Sequence, residues 1–278
     1  MNHLLLLLFI TLSYLPVEAK GWLHSFDDAQ KIALTNNQLI VVDFWAIWCG
    51  PCRKMDRDAW SDEEVQKRLD YFVPLKLDVD RERQLFSKYG TGSIPDVFIL
   101  DGNGKILKHH TGYMTAQQLK NFLEPFVVRL DYLKSEALSY YKQPSTKTAI
   151  ELAARYIEYS KNLSKEAKKG FLNLADLYID TSDDLLVKDS KNYPATLQKI
   201  ELLALVLDLE RERFSRVERK LKRNFQEGGI TSNNLGLFYY IHHTLAQENG
   251  NKVAKKNWKQ KMDILAQNDL HMSTKNKS

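Results

Sequence analysis

The first half of the chain alternates between apolar runs and amphipathic segments, which predicts a sheet flanked by helices. Residues 39–46 form a continuous apolar run broken only by Asp43, the pattern of a strand buried on both faces. Two later strands are joined by Asp101-Gly102-Asn103-Gly104, a strong hairpin signal. The predicted strands are residues 39–46, 72–79, 96–100 and 105–110, and the predicted helices are residues 26–34, 50–57, 61–69, 81–89 and 115–124. This order predicts an α/β fold, with a mixed central sheet and helices on both faces.

Beyond Phe126 the strand patterns stop and helical periodicity takes over. The expected helices are Arg129–Tyr141, Thr148–Ser160, Lys165–Ile179, Ala195–Phe225 and Asn234–Ala246, with loops at residues 143–145, 181–184 and 226–229. An array of helical repeats is left open, because no fixed period confirms one. A nearly continuous helix predicted over residues 126–141 leaves little linker, so the two regions should pack together.

We therefore divide the chain into four parts. They are a signal peptide at 1–19, an α/β domain at 20–128, an all-α domain at 129–270 and a disordered tail at 271–278. The division follows the change of hydrophobic period and the loss of apolar residues at the end of the chain.

The N-terminal residues have the pattern of a secretion signal. Residues 4–15 are almost wholly apolar, Pro16 ends the run, and Val17-Glu18-Ala19 puts small residues where a signal peptidase cuts. An uncleaved anchor is the alternative, but a span needs about 20 apolar residues and this run is shorter. We expect a mature chain from about Lys20 that is exported to the periplasm and does not span the membrane. An oxidoreductase of the endoplasmic reticulum is the other alternative, although residues 275–278 are no retention signal.

The chain has two cysteines, Cys49 and Cys52. Disulfides that stabilise exported proteins connect distant elements, whereas this pair closes a tight loop that constrains little of the unfolded chain. A zinc site would need two more ligands, and the adjacent histidines at residues 109–110 and 242–243 point apart on a strand or a helix. We therefore expect redox chemistry, with no metal and no cofactor beyond the redox-active pair itself.

The position of the two cysteines predicts different roles for them. Cys49 lies where a strand ends and a helix begins, so free backbone amides and the helix dipole should stabilise its thiolate. Cys52 lies one helical turn further on and should be more buried. We predict that Cys49 attacks a substrate disulfide and that Cys52 resolves the mixed disulfide.

The segment around the cysteines resembles a known family. Val41 to Met55, which reads VVDFWAIWCGPCRKM, looks like the active-site segment of thioredoxins, and Ser93 to Phe98 falls where that family keeps its cis-proline loop. The segment after Trp60 and the stretch from Asp101 to Met114 are more similar to the C-terminal periplasmic domain of DsbD. The resemblance covers residues 20–128 and implies a thioredoxin fold.

The resemblance also implies roles for residues outside the cysteine pair. Asp43 would be the buried carboxylate that relays a proton to Cys52, and an acid in an apolar strand should have a raised pKa. Lys76 matches the lysine that partners this acid, although it could equally face solvent. The expected substrate-binding residues are Trp48, Gly50, Pro51, Ile94, Pro95 and Gly112. Of these, Pro95 is expected to be cis and to leave the Ile94 backbone free to pair with an extended peptide.

Charge is distributed unevenly along the chain. Residues 20–128 carry a net charge of −1, and residues 129–278 carry +7. The basic residues alternate with acids, which is typical of a solvated helix face; a polyanion or membrane-surface patch is the alternative. We expect no nucleic-acid partner.

Three functions are compatible with the sequence. The first is an enzyme that reduces protein disulfides or relays electrons from a membrane donor, favoured because the Gly-Pro spacer resembles the reducing members of the family. The second is an oxidase or isomerase whose helical domain dimerises or holds unfolded substrates. The third is a chaperone-like binding protein with auxiliary thiols. Protein disulfides and dithiols are the expected substrates, and the sequence does not indicate an oligomeric state.

Overall fold

The computed structural model describes residues 21–90 and 92–275. The predicted signal peptide therefore lies outside the described residues, as does the end of the predicted tail. The strands are β1 Leu39–Trp45, β2 Phe72–Asp78, β3 Asp96–Leu100 and β4 Ile106–Thr111. The helices are α1 Phe26–Asn36, α2 Gly50–Met55, α3 Glu63–Leu69, α4 Arg83–Tyr89, α5 Ala116–Leu123, α6 Lys134–Lys142, α7 Thr146–Ser160, α8 Lys165–Asp184, α9 Tyr193–Glu210, α10 Phe214–Asn224, α11 Leu235–Glu248 and α12 Lys252–Lys275.

The sheet has the strand order β2-β1-β3-β4. β1 is parallel to β2 and antiparallel to β3, and β3 and β4 form the antiparallel hairpin that the Asp101–Gly104 turn predicted. The mixed sheet and the order of its helices and strands confirm the predicted fold class, with the helical region after it. β1 lies at the centre and is buried from Leu39 to Phe44, as its continuous apolar run predicted.

Alternate residues of β1 enter different layers. Ile40 and Val42 pack with one cluster, which also contains Ala29 and Ala33 of α1. Leu39 and Val41 belong to the opposite cluster, which includes residues of α3, α5 and the helical region. The period of two along a strand places Asp43 on this second face. The Asp43 carboxylate is therefore buried between the sheet and the elements that pack on that face.

Several predicted boundaries in the helical region were wrong. Residues 181–184 continue α8 instead of forming a loop. The single helix predicted over Ala195–Phe225 is two helices, α9 and α10, because the backbone turns at Glu212, whose φ is 58°. The predicted helix over 126–141 is interrupted before Leu130 and resumes through a 3₁₀ turn, Asp131–Leu133, into α6. α12 had no counterpart in the predicted helices, and it includes residues 271–275 of the predicted tail.

One hydrophobic core runs from the sheet into the helical region. Leu107 of β4 and Phe126 belong to the same cluster as Phe171 and Tyr178 of α8. Gly170 permits this close approach, since a Cβ there would lie 3.0 Å from a ring carbon of Phe126. The two regions pack together, in agreement with the short connection between them, and the division at residue 128 stays a prediction.

Candidate active site

Cys49 and Cys52 form a disulfide at the start of α2. Cys49 is the N-cap residue of this helix, and the backbone amide of Cys52 donates a hydrogen bond to its Sγ at 3.1 Å. Gly50 is the first helical residue, and Pro51 occupies the first turn, where the missing amide hydrogen costs no hydrogen bond. When the disulfide is reduced, the same amide is placed to stabilise negative charge on the Cys49 sulfur.

The two cysteines differ little in exposure in this oxidised form. Cys49 is 4% exposed and Cys52 is 2% exposed, so the expected contrast between an open and a buried sulfur is small. The exposed surface beside them is apolar instead, with Ile47 at 70% and Trp48 at 63% exposure. The Trp48 indole N–H donates to the carboxylate of Asp80 at 2.8 Å, which holds the ring beside the disulfide. A partner protein therefore meets an apolar surface before it meets the sulfurs.

Asp43 lies opposite Lys76 in the parallel register of β1 and β2. The Lys76 Nζ is 3.5 Å from Asp43 Oδ2, so Lys76 faces the carboxylate and not the solvent. Asp43 Oδ1 has no hydrogen-bond partner among the described residues. Burial raises the pKa of Asp43 to about 7, and the Lys76 ammonium opposes this shift.

Lys76 is shared between two carboxylates. Its Nζ also forms an ion pair with Asp56 and lies 4.9 Å from the ring centre of Trp45. Because Asp56 competes for the ammonium and adds a second negative charge, it raises the pKa of Asp43 further. Lys76 therefore neutralises the Asp43 carboxylate only in part, and the pKa of Asp43 stays high.

Asp56 was missed by the sequence reasoning. It follows Cys52 by four residues and begins the π-helical turn Asp56–Trp60 that continues α2. A spacing of four residues puts side chains on one face of a helix, so this spacing from Cys52 was the available signal. The nearby indole of Trp60 lowers the pKa of the Asp43 carboxyl, although its N–H has no hydrogen-bond partner among the described residues.

The loop before β3 has the expected cis peptide bond between Ile94 and Pro95. Ile94 packs against the cluster that contains both cysteines, and no backbone hydrogen bond joins it to another described residue. The carbonyl of Pro95 accepts a hydrogen bond from the amide of Gly112 at 2.8 Å. Gly112 has a φ of 105°, a conformation that favours glycine, so it allows the chain leaving β4 to reach the proline loop.

A second buried carboxylate, Asp96, follows the proline. Its Oδ1 is 2.6 Å from Nε2 of His109 and accepts a hydrogen bond from the Thr111 hydroxyl at 3.0 Å. His109 stacks on Phe98 across the hairpin, with ring centres 4.2 Å apart. The His109 ring thus ties β4 to the start of β3.

Known proteins resemble the part of the chain that carries this site. A family model of the thioredoxin-like domain matches residues 26–126. The thioredoxin of Alicyclobacillus acidocaldarius is 35% identical over 88 residues, which cover 32% of this chain and 81% of that protein. The chain belongs to the thioredoxin-like family. It is accordingly a thiol-disulfide oxidoreductase with Cys49 and Cys52 as its redox pair.

Two further similarities involve DsbD. The thiol:disulfide interchange protein DsbD of Campylobacter jejuni is 28% identical over 111 residues, which cover 37% of this chain and 19% of that protein. The oxidised C-terminal domain of DsbD from Neisseria meningitidis shares 22% identity, with a TM-score of 0.32, over 38% of this chain and 99% of that domain. The family match ends at residue 126, before the helical region begins.

The arrangement of the thioredoxin-like site can move both electrons and protons. The disulfide accepts an electron pair when two thiols form and returns the pair when it closes again. A carboxyl group with a pKa of about 7 is protonated and ionised in comparable amounts near neutrality, so Asp43 can give or take a proton there. The thioredoxin and DsbD relatives imply that its substrates are protein thiols.

Proposed function

We propose that this protein is exported to the periplasm and there reduces disulfide bonds of other proteins. In its reduced form, the Cys49 thiolate attacks a substrate disulfide, so that one new S–S bond forms and one substrate thiolate leaves. Cys52 then loses its proton to the Asp43 carboxylate and attacks the Cys49 sulfur. The second substrate sulfur leaves as a thiolate, and the Cys49–Cys52 disulfide is formed.

The high pKa of the buried Asp43 carboxylate supports this cycle most directly. A resolving thiol inside a protein needs a base close to its own proton affinity, and an ordinary carboxylate is too weak a base. Burial raises the pKa of Asp43 to about 7, and the Lys76 ammonium that opposes this shift is shared with Asp56. The return to the dithiol requires a reductant, for which we propose a dithiol-bearing electron donor in the membrane.

Different features of the sequence support the reducing direction and the export. The Gly50-Pro51 spacer between the cysteines resembles that of the reducing thioredoxins. Export rests on the apolar run of residues 4–15 and the small residues before Lys20. Over residues 21–90 and 92–275, no helix has both the length and the apolar character needed to cross a bilayer.

The redox potential of the Cys49–Cys52 pair tests the direction. Equilibration with glutathione buffers should give a value near that of thioredoxins, about −270 mV, and a value near the −120 mV of a strong oxidant such as DsbA would overturn the reducing role. Export is tested by expressing the chain with its own N-terminus in a bacterium. Mass spectrometry of the periplasmic fraction should find a chain that begins near Lys20, and an intact cytoplasmic chain would contradict export.

A further inference from the structure

Positive charge is concentrated in the last three helices. Residues 211–261 contain 12 Lys/Arg and 4 Asp/Glu, a net charge of +8, whereas the whole chain carries +5. The remainder of the chain is therefore slightly acidic. A concentration of this size in one stretch indicates a surface that favours an anionic partner.

Part of this charge is neutralised within the protein. Buried Asp208 of α9 forms ion pairs with Arg213, Arg216 and Lys220. On α12, Lys261 pairs with Glu227 and Lys259 pairs with Asp263. No ion pair to a described residue is formed by Arg219, Lys222, Arg223, Lys252, Lys255 or Lys256.

Three of the lysines without such an ion pair line a groove between α11 and α12. The groove has a volume of about 470 Å³ and a carbon-rich lining. We call it the lysine groove, and its lining includes Tyr240, Lys252, Lys255, Lys256, Lys259 and Met262. A carbon-rich lining beside lysines means that their aliphatic stems form the walls while the ammonium groups stay in water at the rim.

The groove has one sign of charge. Among the described residues, no carboxylate belongs to its lining. At one end, the Tyr240 hydroxyl accepts a hydrogen bond from the ammonium of Lys161 at 2.9 Å, and this ammonium is also paired with Glu210 at 3.5 Å. His243 also lines the groove, and burial together with Lys255 and Lys259 lowers the pKa of its imidazole, as expected beside clustered positive charge.

We propose that the lysine groove binds an acidic peptide segment of a partner protein. The apolar side chains of the peptide would lie between α11 and α12, and its carboxylates would contact the lysine ammonium groups at the rim of the groove. The ammonium groups at the rim supply the charge complementarity, and the apolar walls supply a place for side chains such as leucine. The concave shape favours a peptide over a lipid bilayer, because a planar surface reaches the rim of a groove but does not fill it. The volume suits a few side chains, within the range of small binding sites.

A designed peptide provides the first test. The probe is a fluorescein-labelled peptide of repeated Glu-Glu-Leu units, and its control has Gln in place of every Glu. Fluorescence anisotropy with the full-length protein should show binding of the Glu peptide, little binding of the Gln peptide, and weakening as salt is added. Binding that does not depend on the Glu residues would overturn the proposal.

Matched charge variants locate the binding. The triple variant Lys252→Gln, Lys255→Gln, Lys256→Gln should bind the Glu peptide about tenfold more weakly, as expected for the loss of three exposed charge contacts. The control triple variant Lys142→Gln, Lys165→Gln, Lys169→Gln removes the same charge from exposed lysines elsewhere in the helical region and should bind like the wild type. Equal weakening in both triple variants would show a general charge effect and contradict a site in the groove.

Two more measurements distinguish a peptide site from a lipid site. In the unmodified protein, the imidazole proton resonances of His243 should shift on addition of the Glu peptide while those of His24, in the sheet region, do not. Vesicles of phosphatidylglycerol and phosphatidylcholine test the membrane alternative. Vesicle binding that the groove variant loses, with no binding of the Glu peptide, would make this a lipid site and overturn the proposal.

Discussion

Two buried aspartates, one at the centre of the sheet and one at its junction with the helical region, show how partners decide what a carboxylate does. Asp43 lies in β1, the strand that precedes the disulfide turn along the chain, with one oxygen unpartnered among the described residues and a lysine that it shares with Asp56. Asp101 lies in the hairpin turn at the junction with the helical region, where both of its oxygens are hydrogen-bonded. Burial raises the pKa of both carboxyl groups, to about 7 for Asp43.

The partners of Asp101 come from both sides of the junction. Its Oδ1 accepts hydrogen bonds from the backbone amides of Asn103 and Lys105 at 2.9 and 2.8 Å. Its Oδ2 accepts hydrogen bonds from the hydroxyls of Tyr156 on α7 and Tyr178 on α8, each at 2.8 Å. A carboxylate with four donors orients its surroundings, whereas one with few donors is left free to exchange a proton. The difference predicts chemistry at Asp43 and structural coupling at Asp101.

Replacing either cysteine should have the largest effect of all, the loss of catalytic turnover. Cys49→Ser and Cys52→Ser should each abolish turnover of protein disulfides, since the electron pair has no other carrier. Cys52→Ser should also trap Cys49 in mixed disulfides with partner proteins, which non-reducing gels would show, because the resolving thiolate is missing. Equal trapping by the two variants, or trapping by Cys49→Ser alone, would reverse the assigned roles.

Asp43→Asn should slow turnover and stabilise the fold. The rate of insulin reduction near pH 7 should fall by about 10²-fold, the size of a lost proton transfer. The pKa of Asp43 is 3.8 when unfolded and about 7 when folded, so between these values the native state holds a proton that the unfolded state has released. The contribution of Asp43 to the free energy of unfolding should therefore fall by about 4 kcal/mol as pH rises through this range.

The Asp43→Asn variant should not show this fall in the free energy of unfolding, because its amide does not ionise. Its stability should equal that of the wild type near pH 4 and exceed it above pH 7, as measured by denaturant unfolding of the oxidised proteins. Asp101 also has a raised pKa, but its contribution is present in both proteins and cancels in the difference. Parallel stability curves, or an unchanged rate between pH 6 and 8, would make Asp43 a structural residue only.

Removing the hydroxyl donors of Asp101 should destabilise the fold, whereas Asp43→Asn should stabilise it. Tyr156→Phe with Tyr178→Phe keeps both rings but leaves one oxygen of buried Asp101 without donors, so we expect a loss of about 3 kcal/mol in the free energy of unfolding. Tyr140→Phe is the matched control. Its ring packs edge-on to Tyr178, with centres 5.0 Å apart, and its hydroxyl has no hydrogen bond to a described residue. A double variant no less stable than Tyr140→Phe would show that Asp101 does not couple the two regions.

The smallest effect is expected from the ion pair across the same junction. Lys108 of β4 pairs with Glu166 of α8, but the Glu166 side chain is 51% exposed. Glu166→Gln should change the free energy of unfolding by about 0.5 kcal/mol or less, because solvent screens such pairs. A loss well above 1 kcal/mol, reduced by added salt, would mean that surface charge and not the shared core and Asp101 holds the regions together.

Local patterns identified most of the sheet and the redox pair. Alternating and continuous apolar runs mark strands, and Gly-rich turns mark the hairpin, so each strand was predicted to within a residue or two. The helical region was harder. The break at Glu212 contains no Gly or Pro that would predict it. Arg211, next to the break, donates a hydrogen bond to Asp176 of α8 at 2.7 Å, a contact that the local sequence does not show.

The sequence by itself determined the Cys49–Cys52 chemistry, the buried position of Asp43 and the presence of a helical region. Only the tertiary structure decided that Lys76 faces Asp43, that Asp56 competes for it, and that two tyrosines of the helical region bind Asp101. The reason is that these contacts join residues far apart in the chain, so the energy that selects them appears only when the layers pack. A side chain's neighbours along the chain predict its burial, whereas its partners across the fold decide its protonation.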